Sequence, residues 1–472
     1  MSSTSIPVEL SSGGFWSDVR LALRGTSQDY TTLGLNRAIF LLAVPMVLEM
    51  AMESLFAVVD SYFVASLGRD SIAAVGLSEA ILAIVYAAAL GLAAGTTATV
   101  SRRIGEKHPE AASEAAFQAI LLGIGVSIIV GTAGVIWGND LLRLMGASPG
   151  IIHAGGRYTV CLLGGVGTIF LLFLINAVFR GAGDPIMAMR TLWLANLLNI
   201  LLNPCLIFGL GPFPRLGVLG SAVGTTVSRG VGVLFAAWFL IRGSGHLRLG
   251  VEHLRVDIKV MLSILRLSAG AALQSMITIA SWVGLSRMNA TFGSAAIAGY
   301  TLAIRTVIFV ILPAAGLCNA AATLVGQNLG ANKPDRAEQA VWRAGFYNAI
   351  FLGFVTVVFW LFAPLIMRIF TDDAPVIAVG ATCMRTVSLA YPFLAYGMVM
   401  EQSFNGAGDT TTPIYINLLC YWAFQLPLAW WLSHGAGTGP KGIYISIAAG
   451  ESLLAVVASL LFKRGKWKLK QV

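Results

Sequence analysis

The sequence predicts an all-α integral membrane protein, with twelve transmembrane helices arranged in two pseudo-symmetric six-helix bundles. Three observations point there. The chain is 57% hydrophobic and only 11% charged. Apolar stretches recur from about residue 37 to about residue 463. Landmark residues also repeat at a constant offset of 225. Soluble domains carry roughly 25% charged residues, so a water-facing fold is excluded at the level of composition.

A helix crosses about 30 Å of hydrocarbon with about 20 apolar residues. Stretches of that kind lie at 37–65, 71–97, 113–137, 158–179, 187–210, 217–241, 260–290, 295–320, 340–362, 383–405, 411–433 and 442–463. The intervening loops are too short for a soluble catalytic domain, so function must reside inside the membrane. The expected organisation is an N-terminal segment 1–36, a first bundle 37–241, a linker 242–259, a second bundle 260–463 and a basic tail 464–472. Within the first segment, Phe15, Trp16, Val19 and Leu23 have the spacing of a short interfacial helix.

The net charge of +9 follows membrane orientation and needs no nucleic-acid partner. The termini and the loops after even-numbered spans carry twenty Lys and Arg, against eight in the odd loops and their flanks. The positive-inside rule therefore predicts that both termini are cytoplasmic. Absence of a cleavable signal pattern and of targeting extensions points to a prokaryotic inner membrane. The five cysteines are scattered through apolar segments, which indicates neither a disulfide framework nor a metal site.

The repeat pairs Gly68 with Gly293, Gly91 with Gly316, Gly105 with Gly330 and Pro109 with Pro334. It also sets the run Phe179 to Asp184, ending Gly-Ala-Gly-Asp, against Phe404 to Asp409 with the same ending. An even number of spans per unit gives parallel repeats about an axis along the membrane normal, with a central cavity between them. The Gly-Ala-Gly-Asp turns read first as structural, with glycine for the turn and Asp as a helix cap.

Ionisable residues inside spans are functional candidates by default. In the first span Glu49, Glu53 and Asp60 fall within about 40° of one another on a helix, so one face presents three carboxylates. Desolvation favours the neutral acid and a readiness to take up a proton. Asn196, Asn199 and Asn203 share one face of the fifth span within about 60°. Their amides either ligate sodium or orient a carboxylate, and Thr225 in the sixth span is a further oxygen ligand candidate. Pro45 predicts a bend in the first span. Candidates for lining the cavity are Gln274, Glu401, Arg305, Tyr300 and Tyr396; Glu401 stands where the first half has Asn176.

Taken together, Val59-Asp60-Ser61-Tyr62-Phe63-Val64, the two Gly-Ala-Gly-Asp turns, the run Asn199 to Pro204, and Val325-Gly326-Gln327-Asn328-Leu329-Gly330 resemble the multidrug and toxic compound extrusion (MATE) family over residues 37–463. The resemblance implies a V-shaped pair of lobes that rock against each other and export small organic, cationic or amphipathic substrates in exchange for H+ or Na+, with no other cofactor and no tightly bound metal. It also implies an N-lobe cation site at Asp60, Asn199 and Asn203, where Na+ would bind. The chain departs from the family in having Asn203 in place of a second acid, Glu53 in place of glutamine, and Thr278 in place of a seventh-span glutamate. Losing a ligand acid and gaining a desolvated glutamate favours protons. A monomer is expected. A flippase for lipid-linked or other amphiphilic substrates is the alternative within transporters. An enzyme is disfavoured because all five histidines lie in loops or near helix ends, and a channel because the acids lack ring symmetry.

Overall fold

The computed structural model describes residues 15–472 apart from 26, 27, 66, 68, 244, 246, 251 and 252. Gly68 of the repeat thus lies outside the described residues, as do the side chains of Phe15, Ser61 and Val64. A short helix α1 (Phe15–Arg24) precedes α2 (Leu35–Ala65), α3 (Arg69–Gly105) and α4 (Pro109–Leu144). The fourth span is a bent pair, α5 (Pro149–Gly164) and α6 (Val166–Ala182), followed by α7 (Pro185–Phe208) and α8 (Val218–Arg242). The second half comprises α9 (Ile258–Ala290), α10 (Ser294–Gly330), α11 (Pro334–Arg368), the bent pair α12 (Ala374–Ser388) and α13 (Tyr391–Gly406), and α16 (Pro440–Lys463). Between α13 and α16 one continuous helical rod runs through α14 (Thr411–Asn417), a π-helical turn at Leu418–Gln425, α15 (Leu426–Trp430) and a second π turn at Trp431–Gly435. Nine single helices are long and apolar enough to span a membrane, and each bent pair qualifies together. With the mixed α/π rod, the described residues supply the twelve spans expected.

The fourth and tenth spans are longer than the sequence reading, and broken. They bend by 42° and 60°. The first break falls at Gly164–Gly165, and the second just before Pro392, whose missing N–H and bulk against the preceding residue interrupt the hydrogen-bond ladder. The breaks fall at equivalent places, since α6 starts at Val166 and α13 at Tyr391, 225 residues later. By contrast, α2 runs unbroken through Pro45. Both Gly-Ala-Gly-Asp turns are structural in the way expected. Gly183 (φ +83°) and Gly408 (φ +84°) take the left-handed conformation. Asp184 accepts the Met187 N–H at 3.4 Å, and Asp409 accepts the Thr412 N–H at 3.4 Å.

The halves meet through α3 packed on α9 and α10 packed on α2, and α3 and α10 also pack on each other. Glycine makes these approaches. A Cβ on Gly91 would lie 2.6 Å from Ser268 O, and one on its repeat partner Gly316 would lie 2.5 Å from Met46 O. At the face bearing the termini, Gly105 abuts the Gln327 carbonyl and Gly330 abuts the Arg102 carbonyl, and 102 and 327 are themselves repeat partners. Hydrogen bonds cross there in matched fashion, Gln327 Nε2 donating to Gly181 O (3.1 Å) and Arg102 to Ala407 O (3.5 Å).

The terminal segments strap this face. Asp18 of α1 pairs with Arg37 at 2.9 Å. Beyond α1, Asp29 binds Lys107 at 2.5 Å, and Lys333 and Arg336 of the second half donate to backbone carbonyls at Thr31, Tyr30 and Leu33. From the other end, Trp467 is buried and stacks on Phe462 with centroids 4.5 Å apart. Lys470 reaches Asp409 (3.2 Å), and Arg102 donates to Lys470 O (2.6 Å). The basic tail is therefore packed into the fold. Burial pushes the Asp29 carboxyl up, but hydrogen bonds from Lys107 and Thr31 outweigh it and hold it down at about 2.

Two outcomes are expected. Gly105→Ala overpacks the α3–α10 crossing at a cost of about 1–3 kcal/mol, measured as a lower Tm in detergent. The Asp29 strap is fully formed above the ordinary carboxylate value of 3.8 and weakens as pH falls through about 2. Protection factors of the backbone amides at 29–33, corrected for intrinsic exchange, should therefore fall below pH 4 in wild type, and Asp29→Asn should remove that extra acid sensitivity.

Candidate functional site

The three carboxylates of α2 do share one face, and each meets a different partner set on α6, α7 or α8. Glu49 is 1% exposed and pairs with Arg180 of α6 at 2.6 Å. Asn176, one turn earlier on α6, lies 3.5 Å from the same oxygen. Glu53 accepts from Asn196 of α7 at 2.9 Å and faces Arg229 of α8 at 3.7 Å. Asp60 accepts from Asn203 of α7 (2.6 Å) and from Ser221 of α8 (3.1 Å), both on Oδ1.

The fifth-span amides thus orient carboxylates, one of the two roles expected of them. Asn196 and Asn203 present N–H donors to the acids, and the Asn203 Oδ1 is buried without a hydrogen-bond partner. Asn199 is separated from this pattern. Its amide donates to Thr225 Oγ1 at 2.9 Å, so the expected trio of Asp60, Asn199 and Asn203 becomes Asp60, Asn203 and Ser221, with Asn199 and Thr225 as a second pair.

Two arginines were missed as site residues. Arg180 reads in the sequence as a loop charge, but α6 continues past it and buries it. Arg229 is 4% exposed, donates to the Tyr86 hydroxyl at 2.8 Å and lies over the Phe56 and Tyr86 rings at 5.8 and 5.7 Å. Its signal was a lone arginine in the middle of the apolar stretch 217–241. Ser221 gave none, because a small hydroxyl in a span is ordinarily a packing residue.

In the second half, Gln274 accepts from Asn405 at 3.1 Å. Arg305 is exposed on α10, and its field reaches Glu79 of α3. Two cavity candidates make aromatic packing contacts. Tyr300 is 1% exposed and stacks on Tyr444 in the apolar core of the second half, with centroids 6.1 Å apart. Tyr396 fills the space above Gly345 and meets the Trp342 ring at 6.1 Å, between α13 and α11. Glycine opposite an aromatic ring is a packing device, which sequence spacing alone did not separate from a cavity wall. Among the described residues, no group of three or more His, Cys, Asp or Glu is placed to hold a metal ion.

The family model MatE matches residues 45–205 and 267–431. A probable multidrug resistance protein, YoeA of Bacillus subtilis, is 25% identical over 442 residues, covering 92% of this chain and 95% of its own. A probable multidrug resistance protein NorM of Thermotoga maritima is 26% identical over 440 residues, covering 93% and 94%. Among solved structures, a multidrug resistance MATE family transporter of the MOP superfamily in an outward-facing conformation superposes with a TM-score of 0.88 at 26% identity, covering 93% of this chain and 98% of that one. A MATE protein in complex with MaL6 gives a TM-score of 0.88, covering 92% and 97%.

The Glu49–Arg180 pair generates a sharp expectation. Removing either partner leaves a buried charge unmatched and costs about 3–5 kcal/mol. The double variant Glu49→Gln with Arg180→Asn recreates the neutral pairing that Gln274 and Asn405 make in the second half, so its stability should recover most of the loss. A double-mutant cycle of unfolding in detergent measures this, and additive losses would contradict it.

Proposed function

The chain belongs to the MatE family of membrane transporters, and from that premise we propose that it is a secondary antiporter that exports organic, cationic or amphipathic compounds in exchange for protons entering through Asp60. Drug-sized substrates are supported by the multidrug resistance relatives, which align over nearly the whole chain. One observation carries the choice of Asp60. Glu49 is neutralised by Arg180 and Glu53 faces Arg229, whereas the partners of Asp60 are the neutral donors Asn203 and Ser221. A carboxylate held by neutral donors in a low-dielectric bundle gains most from taking up a proton, and Arg229 nearby sets the balance between its two forms.

Proton over sodium is supported by the polarity of the donors. A sodium ion needs converging oxygens, but Asn203 turns its N–H toward Asp60. Two of the departures noted in the sequence, Asn203 and Glu53, lean the same way. The bundles 37–241 and 260–463 act as the rocking units. The face bearing the termini is cytoplasmic by the positive-inside count, and the glycine crossings and straps close it. Protonation of Asp60 weakens its acceptance from Asn203 and Ser221 and frees α2 to shift against α7 and α8. That shift changes the cavity that α2 borders.

Proteoliposomes loaded against a fluorescent organic cation test the reading. An imposed proton gradient should drive uptake and an equal sodium gradient should not. Asp60→Asn should reduce the proton-driven rate to background. Uptake driven by sodium alone, or retained in Asp60→Asn, would overturn the assignment.

A further inference from the structure

The helix α9, which opens the second half, is longer than the bilayer it crosses. Its 33 residues extend about 50 Å at about 1.5 Å each, against about 30 Å of hydrocarbon. Centred in that layer, it projects about 10 Å on each side. Arg266 lies about 12 Å along the helix from Ile258, at the edge of the hydrocarbon on the linker side. It is exposed, on a stripe with Leu262, Leu265 and Leu273, which are 58%, 42% and 48% exposed. The opposite face, with Ile264, Leu267, Ser268 and Ala271, is buried, so the stripe is the one left to lipid. Side chains on a helix lean toward its N-terminus, and Arg266 therefore reaches back toward the headgroups. Lys259, also exposed, falls within about 20° of Arg266 around the helix, two turns nearer the water.

The linker completes this corner. Gln118 of α4 donates to Arg255 O at 2.6 Å and fixes the segment to the first half. Asp257 caps α9, accepting from the N–H groups of Lys259 (2.8 Å) and Val260 (3.3 Å). A cavity of about 510 Å³ opens between α4 and this segment, lined by Arg255 and Lys259 with Glu114 and Gln118. Leu254, Val256 and Ile258 alternate with Arg255 and Asp257 and are 53%, 65% and 67% exposed, an apolar ridge beside the basic groups. Among the described residues, none of Arg255, Lys259 and Arg266 is in an ion pair. Three cations thus gather at headgroup depth, while Asp257 is occupied by the cap and Glu114 is the other acid lining the cavity.

We infer that Arg255, Lys259 and Arg266 bind the phosphate of an anionic phospholipid of the cytoplasmic leaflet where the linker meets α9, with Leu254, Val256 and Ile258 inserted beside it. The phosphate is the missing counter-charge, and the acyl chains follow the leucine stripe of α9. The segment joining the two bundles is thereby tied to the membrane surface. This site is independent of which ion drives transport.

Native mass spectrometry of the full chain, released from detergent with added phospholipid, tests the site without transport. Wild type should retain one phosphatidylglycerol under conditions that strip phosphatidylcholine. The triple variant Arg255→Gln, Lys259→Gln, Arg266→Gln should bind it about a hundredfold more weakly, with a lipid-free Tm equal to that of wild type. Lys259→Arg should keep the lipid. Leu254→Ser with Val256→Ser, which leaves every charge in place, should weaken retention several-fold, and unchanged retention there would remove the ridge from the site. Taking the same charge from the tail, with Lys463→Gln, Arg464→Gln and Lys466→Gln, should change nothing. Equal losses in the two triple variants would overturn the inference in favour of diffuse surface charge. Retention of phosphatidylethanolamine as tight as that of phosphatidylglycerol would overturn the anionic class, and displacement of the lipid by millimolar inorganic phosphate would give the cavity to a soluble anion instead.

Discussion

The Glu49–Arg180 ion pair joins the first membrane helix to the bent fourth span, and the arrangement of the first half follows from it. An ionised acid on α2 has no water to fall back on, so α6 must continue far enough to deliver a guanidinium. That extension carries Arg180 to the helix end, where Gly181 and Gly183 let the chain turn tightly beneath α10. Thr323 of α10 then donates to Arg180 O at 3.3 Å, so the residue that neutralises Glu49 also touches the opposite half. Charge neutralisation within one bundle and closure between bundles are thereby coupled through a few residues.

The same low-dielectric logic sorts the acids by role. Where a guanidinium is at hand, as at Glu49 and Glu53, the carboxylate is paired with a cation and serves the architecture. Where the partners are amides and hydroxyls, as at Asp60, the carboxylate is held by neutral donors. The two halves use one scaffold with different charge placements. Gene-level duplication preserved the backbone, visible in helix starts 225 residues apart, while substitution at 180 and 405, and at 176 and 401, redistributed the titratable groups.

Closure at the face bearing the termini rests on backbone contact more than on charge. Residues 105 and 330 lack side chains where the helices cross at that face, as 91 and 316 do deeper along the same helices, and van der Waals contact there is symmetric about the repeat axis. The straps from residues 15–34 and 464–472 add exposed or half-buried ion pairs, which salt screens and which contribute little individually. Their number and their reach across both halves give them effect.

The membrane class, the twelve spans, the 225-residue repeat and the shared acidic face of α2 were determined by the sequence alone, because hydrophobic length and helical periodicity are local properties read along the chain. So was the structural role of the Gly-Ala-Gly-Asp turns. Tertiary structure decided which candidate met which partner. It moved Asn199 from Asp60 to Thr225, placed Ser221 on Asp60, brought Arg180 and Arg229 in from unremarkable positions, and set Tyr300 against Tyr444 and Tyr396 against Trp342. Periodicity fixes the face of a helix on which a residue sits, but the rotation and height of neighbouring helices, set by glycine crossings and bent spans between distant parts of the chain, determine what that face meets.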